Sequence, residues 1–173
     1  MSTPNELLPV RMFELVALLA GHGVEFVVIG GMAVNLHGFV RATKDVDVVP
    51  HSSPENLARL WTAVASVDAQ PGGLEGFRPE ELPMPWSLHS LIEGQGNWIL
   101  HTTLGRIDVM QCVAPFDGYE DLVESAHTAA IPGTSQPILV AGLHDLIAMK
   151  QEAGRPQDLI DITALRLANG LEA

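Results

Sequence analysis

Cysteine, basic side chains and long apolar runs are all scarce in this sequence. Each scarcity argues against a class of structure or partner. Cys112 is the only cysteine, which excludes an intramolecular disulfide and favours a reducing compartment. No apolar run reaches the roughly 18 residues that a membrane-spanning helix needs. The N-terminus also lacks the basic residues that precede the apolar core of a secretory signal. We therefore expect a cytoplasmic protein without a membrane segment.

The charge balance is strongly acidic. Nine Lys and Arg residues stand against 21 Asp and Glu residues, for a net charge of −12. Binding to the phosphate backbone of nucleic acid normally requires a basic face, so duplex DNA is not an expected partner. Only 17% of the residues are charged while 47% are hydrophobic, and mean hydropathy is +0.21. This surplus predicts an apolar surface for a partner or a second copy.

The length of 173 residues is that of a single domain with a sizeable core. Periodicity and turn residues predict an N-terminal helix over 5–21, a core over 24–140 and closing helices over 142–169, split near 154. They predict a loop over 69–87, because prolines and glycines are frequent there. Within the core we expect helices at 32–37 and 53–67, and strands at 25–29, 45–49, 97–102, 105–111, 129–131 and 138–140.

Two glycines follow the first predicted strand. Gly30 and Gly31 come directly after Ile29 and open the short helix. A helix start offers free backbone N–H groups and the positive end of the helix dipole to a phosphate. The same glycines can simply make a tight turn between strand and helix. The sequence leaves both interpretations open.

The next predicted strand carries two carboxylates, Asp45 and Asp47, with Val46 and Val48 between and after them. Because side chains alternate along a strand, the two acids share one face, and their Cα atoms are roughly 6.5 Å apart at about 3.3 Å per residue. Carboxylates at this spacing can bind one hard divalent cation or bridge two. Metal ligands beside a phosphate-binding turn are typical of phosphoryl or nucleotidyl transfer.

These residues resemble the nucleotidyltransferase superfamily, which has the polymerase-beta-like fold. The pattern is an apolar residue, a glycine pair, a gap of about a dozen residues, and Asp-apolar-Asp-apolar. The sequence around this pattern, from Gly30 to Asp47, looks like that of the small stand-alone bacterial members. These include the minimal nucleotidyltransferases and the AbiEii-like toxins of toxin–antitoxin pairs. The resemblance extends over about residues 24–165. Near the C-terminus, two segments resemble the closing helices of these small proteins: Leu143–Lys150 and Arg155–Asp161.

The resemblance implies an α/β (α+β) domain with a small mixed sheet backed by helices. It also implies a third carboxylate from a later strand, for which Asp108 in Gly105-Arg106-Ile107-Asp108 is the candidate. The three acids would be catalytic and would hold Mg²⁺ or Mn²⁺. The implied reaction moves a nucleoside monophosphate from an NTP to a hydroxyl of a protein, a small molecule or an RNA end. A homodimer or a cognate toxin or antitoxin is the implied protein partner.

Three cations have two interpretations each. Arg41 and Lys44 can bind triphosphate oxygens or neutralise the neighbouring acids. Lys150 resembles a tail position that faces the nucleotide, yet it can equally pair with Asp158 or Asp161. A different class of function is also open: a catalytically inactive member of the fold that binds a partner through its apolar surface.

Overall fold

Seven strands form one mixed sheet in the computed structural model, which describes residues 11–72 and 84–171. Their order across the sheet is β3-β4-β5-β2-β1-β7-β6. The strands are β1 (Phe26–Ile29), β2 (Asp45–Pro50), β3 (Gln70–Pro71), β4 (Trp98–Thr102), β5 (Gly105–Val109), β6 (His127–Ala129) and β7 (Ile138–Val140).

Helices cover this sheet. In the described ranges, none of them is both long and apolar enough to cross a bilayer. The helices are α1 (Met12–Gly21), α2 (Gly30–Leu36), α3 (Pro54–Ala65), α4 (Leu88–Glu93), α5 (Tyr119–Val123), α6 (Leu143–Ala153) and α7 (Pro156–Ala168).

The centre of the sheet is the hairpin-like unit of β1 and β2 with the helix α2 between them. These two strands are antiparallel, whereas β7 is parallel to β1 and β5 is parallel to β2. Every residue of β1 is buried, while β2 alternates so that its two acids are only half-buried. Helix α2 contacts both strands and also α6, and α6 contacts α7. The fold thus confirms a mixed sheet backed by helices, with α2 linking the central strands to α6 and α7.

Local sequence explains several helix ends. Ser53 accepts a hydrogen bond from the backbone N–H of Asn56, with Pro54 as the first helical residue of α3, and both residue types are favoured at these positions. Gly154 has φ +59° and ends α6, because glycine adopts the left-handed conformation without steric cost. Pro156 then begins α7.

Several expected boundaries differ from the structure. Helix α1 begins at Met12, and residues 5–10 of the expected helix lie outside the described residues. The expected loop over 69–87 contains β3, which pairs with β4 at the edge of the sheet, where a proline is tolerated; its residues 73–83 also lie outside the described residues. Helices α4 and α5 were not predicted, because helices of six and five residues are too short to show a periodicity.

Candidate active site

Three carboxylates meet on one face of the sheet, where β2 lies beside β5. In this parallel pair, Asp47 is opposite Asp108, and Asp45 is opposite Arg106. Because side chains alternate along each strand, the three acids share a face, and one ligand oxygen of each lies within 4.8 Å of the others. The structure therefore brings together the three acids expected from the sequence. Carboxylate oxygens are the donors that Mg²⁺ and Mn²⁺ prefer.

Asp47 is the most perturbed of these acids. Burial, followed by the negative charges of Asp45 and Asp108, raises the pKa of Asp47 from 3.8 to about 7. Gly30 has φ +64°, and a Cβ atom there would overlap Asp47 Oδ2. Among the described residues, no ion pair reaches Asp47. The positive charges of Arg106 and Lys150 offset this increase in pKa only in part, and a crowded carboxylate of this kind fits the binding of a divalent metal.

Gly31 faces a hydroxyl and a guanidinium. A Cβ atom at this position would lie 2.5 Å from Thr43 Oγ1 and 3.3 Å from Arg41 Nη1. The Thr43 hydroxyl donates to the carbonyl oxygen of Asp45 at 3.1 Å. Thr43 was not among the residues expected at the site, although it lies two residues before the first acid. Both glycines are therefore required by close approaches of side chains, in addition to any contact with a ligand.

Arg106 already neutralises part of the cluster. Its Nε and Nη2 donate to the two oxygens of Asp108 at 2.7 and 2.6 Å, and Nε lies 3.7 Å from Asp45 Oδ2. From the sequence, Arg41 and Lys44 were candidates for this neutralising position, and Arg106 was not. The alternation of a strand contained the signal, because residues two apart share a face.

Arg41 and Lys150 are instead joined by a buried acid, Asp161. This carboxylate has no exposed surface; Arg41 donates to it twice at 2.7 Å, and Lys150 Nζ lies 2.7 Å away. Burial opposes ionisation of Asp161, but hydrogen bonds from Arg41, Lys150 and Gln157 outweigh it and lower the pKa to about 2. Lys150 also pairs with Asp158 at 3.1 Å. The ion-pair interpretation of Lys150 is thus observed.

One cleft of about 960 Å³ connects these groups, within the size range of small-molecule sites. Lys150 and Arg41 line this cleft although both are ion-paired with Asp161. Lys44 is exposed and makes no ion pair within the described ranges. All eight residues expected at the site line the cleft: Gly30, Gly31, Arg41, Lys44, Asp45, Asp47, Asp108 and Lys150.

Comparison with known proteins identifies the fold. No protein-family model and no curated protein matches the sequence. Among solved structures, the chain is similar to the antibiotic-resistance factor ANT(2'')-Ia, an aminoglycoside nucleotidyltransferase, with a TM-score of 0.57 and 14% identity. The likeness covers 93% of this chain and 84% of that one. The chain has a nucleotidyltransferase-like fold. At this identity the likeness concerns the fold alone, and the chemistry has to be argued from the cleft.

Proposed function

We propose that the protein is a metal-dependent nucleotidyltransferase, which moves a nucleoside monophosphate from an NTP to a hydroxyl. The observation that carries this proposal is the meeting of Asp45, Asp47 and Asp108 within 4.8 Å in a cleft that also contains the glycine turn. The nucleotidyltransferase-like fold supports it. Structural ion-pair networks also shift the pKa values of acids. Asp47, whose pKa is raised, has no ion-pair partner among the described residues.

In this mechanism the acids hold the metal and the cations hold the triphosphate. Mg²⁺ or Mn²⁺, when bound to Asp45, Asp47 and Asp108, supplies charge stabilisation at the phosphate and lowers the pKa of the attacking hydroxyl. The acceptor oxygen forms a bond to the α-phosphorus as the bond to the leaving pyrophosphate breaks. We assign the acceptor proton to Asp108. The chain thereby needs no covalent intermediate of its own.

The triphosphate side of the cleft is assigned to the glycine turn and to the cations beside it. Backbone N–H groups at Gly30 and Gly31 are suited to phosphate oxygens. Arg41 has its side chain 21% exposed, so it reaches the cleft while Asp161 anchors it. Lys150 is anchored in the same way. Lys44, which is exposed, adds a mobile positive charge.

Asp161→Asn tests whether this buried acid positions the two cations. We expect the free energy of unfolding to fall by about 3 kcal/mol, because removing one partner of a buried ion pair leaves the others uncompensated. We also expect KM for NTP to rise with a smaller change in kcat, because the anchored cations contact the substrate and not the acceptor. Urea unfolding and steady-state kinetics measure both effects. Glu124→Gln, which changes an exposed acid on another surface, is the charge-matched control; equal behaviour of the two variants contradicts the positioning role.

Duplex DNA is expected to bind only non-specifically. The net charge of −12 repels the phosphate backbone, so any binding should disappear as salt is raised from about 50 to 200 mM. Fluorescence anisotropy with a labelled duplex over this range measures it. A tight complex that resists salt would show that a local basic surface dominates the overall charge.

The acceptor is a protein side chain, a small molecule or an RNA end, and we propose a toxin–antitoxin setting from the resemblance to the small stand-alone enzymes. The direct experiment is incubation of the protein with each α-³²P-labelled NTP, Mg²⁺ and host lysate. Label transferred to a discrete protein or RNA band identifies the acceptor class. The Asp47→Asn variant in the same lysate is the control, and label that persists with it contradicts the proposal.

A partner-binding protein without activity is the second candidate. Several large apolar side chains are exposed, and three of them lie on α7: Leu159 at 58%, Ile160 at 56% and Leu167 at 69%. Such side chains are common at interfaces. Calorimetric titration separates the candidates, because an inactive member with a vestigial site would not bind Mg²⁺ and NTP together.

A further inference from the structure

We propose that Arg106 is an internal counterion that closes Asp108 to divalent cations, so that the first cation binds at Asp45 and Asp47 alone. A cation that needs Asp108 then binds only after the guanidinium has moved away. This inference rests on the proposed function, since it concerns the order in which the same acidic cluster is filled. It makes Arg106 a residue that regulates metal loading.

The first observation is that Arg106 occupies both oxygens of Asp108. The two N–H···O distances, 2.7 and 2.6 Å, describe a two-pronged guanidinium–carboxylate pair, the geometry that makes such contacts strong. Asp108 is 8% exposed, so few other donors reach it. A divalent cation requires the same oxygens, because carboxylates bind hard cations through them.

The second observation is that Arg106 pairs closely with Asp108 but not with the other two acids of the cluster. Arg106 Nε is 3.7 Å from Asp45 Oδ2, a distance too long for a hydrogen bond. Within residues 11–72 and 84–171, Asp47 has no ion-pair partner, although it lies directly opposite Asp108 in the strand pair. Asp45 and Asp47 therefore present oxygens to an entering cation, while Asp108 does not.

The third observation is that this ion pair does little for the fold. Arg106 and Asp108 are two residues apart on the same strand, so their pairing connects no separate elements. Arg41 and Asp161 form a two-pronged pair of the same kind, but they are 120 residues apart in sequence and tie the chain after α2 to α7. The Arg106 side chain is also 36% exposed, which leaves it an open path to solvent. A pair of this kind can open without disturbing the sheet.

The test is a titration of the nucleotide-free protein with Mn²⁺ at constant pH, followed by calorimetry and by the electron paramagnetic resonance signal of free Mn²⁺. We expect one Mn²⁺ per chain in the wild type. Arg106→Gln should bind a second Mn²⁺ or bind the first about tenfold more tightly, a change that fits the strength of hydrogen bonds to charged groups. Arg106→Lys keeps the charge without the two-pronged geometry and should lie between them.

Arg59→Gln is the matched control, because Arg59 lies on α3 and its ion pair is with Glu25. Thermal melts check that each variant is folded. If Arg106→Gln does not fold, the Mn²⁺ binding of Arg106→Lys tests the inference. Equal Mn²⁺ stoichiometry and affinity in the wild type and the Arg106 variants would overturn the inference while leaving the proposed function intact. Failure of every variant and of the wild type to bind Mn²⁺ would overturn both.

Discussion

Asp47→Asn is expected to lower the rate of nucleotidyl transfer by about a thousandfold or more. Asp47 is central in the cluster, since it faces Asp108 across the strand pair and its oxygen lies within 4.8 Å of those of both other acids. An amide replaces a charged ligand, which weakens binding of the cation. A bound cation supplies several kcal/mol of transition-state stabilisation, and about 1.4 kcal/mol corresponds to a factor of ten.

Transfer of label from α-³²P-NTP to the identified acceptor, measured at saturating Mg²⁺ and NTP, quantifies this loss. Asp121→Asn is the matched control, because Asp121 is exposed and its side chain only accepts a hydrogen bond from the backbone of Asp117, which asparagine also does. Circular dichroism shows whether each variant is folded. A folded Asp47→Asn protein with most of its activity would exclude a metal role for this acid and favour the partner-binding candidate.

Two of the three acids of the candidate site were predictable because short-range rules place them. Asp45 and Asp47 share a face by strand alternation alone. The approach of Asp108 depends on the pairing of β2 with β5, a contact between segments some sixty residues apart that no local pattern contains. The resemblance to a known superfamily supplied that contact, and the observed register places Asp108 directly beside Asp47.

The partners of the basic residues were not predictable in the same way. Arg41 lies four residues before Asp45 in the sequence, yet its guanidinium binds Asp161 on α7. The ion-pair partner of a long side chain depends on which groups the tertiary structure brings within its reach, and the separation in sequence does not predict that partner. Arg106 shows the opposite case: its partner is two residues away, and the same alternation that grouped the acids placed this cation among them.

The pH dependence of stability in the metal-free protein is the second large effect that we expect. The pKa of Asp47 is raised from 3.8 to about 7 in the folded chain. Between these two values the folded state binds more protons at this site than the unfolded state does. The contribution of Asp47 to the free energy of unfolding therefore falls as pH rises from about 4 to about 7, and it is constant above that range.

Asp47→Asn removes this contribution, because the amide does not ionise. At pH 8 the variant should be more stable than the wild type by a few kcal/mol, at about 1.4 kcal/mol per pKa unit, and the difference should shrink steadily as pH falls toward 4. Urea unfolding at several pH values in the presence of EDTA measures it. A variant less stable than the wild type at pH 8 would mean that the carboxylate makes favourable contacts outweighing its burial and crowding.

Adding Mg²⁺ and NTP should reduce that difference in stability. Ligands at a hundredfold excess over their dissociation constant stabilise the folded state by about 2.7 kcal/mol, and the wild type should receive this gain while Asp47→Asn loses most of it. The carboxylate would then be less destabilising in the filled site than in the empty one, which is the compromise expected where activity is retained at a cost in stability. Thermal melts of both proteins with and without the two ligands decide the point. Equal ligand-induced shifts would show that Asp47 does not contribute to binding, and the acidic cluster would then have to be explained without a metal.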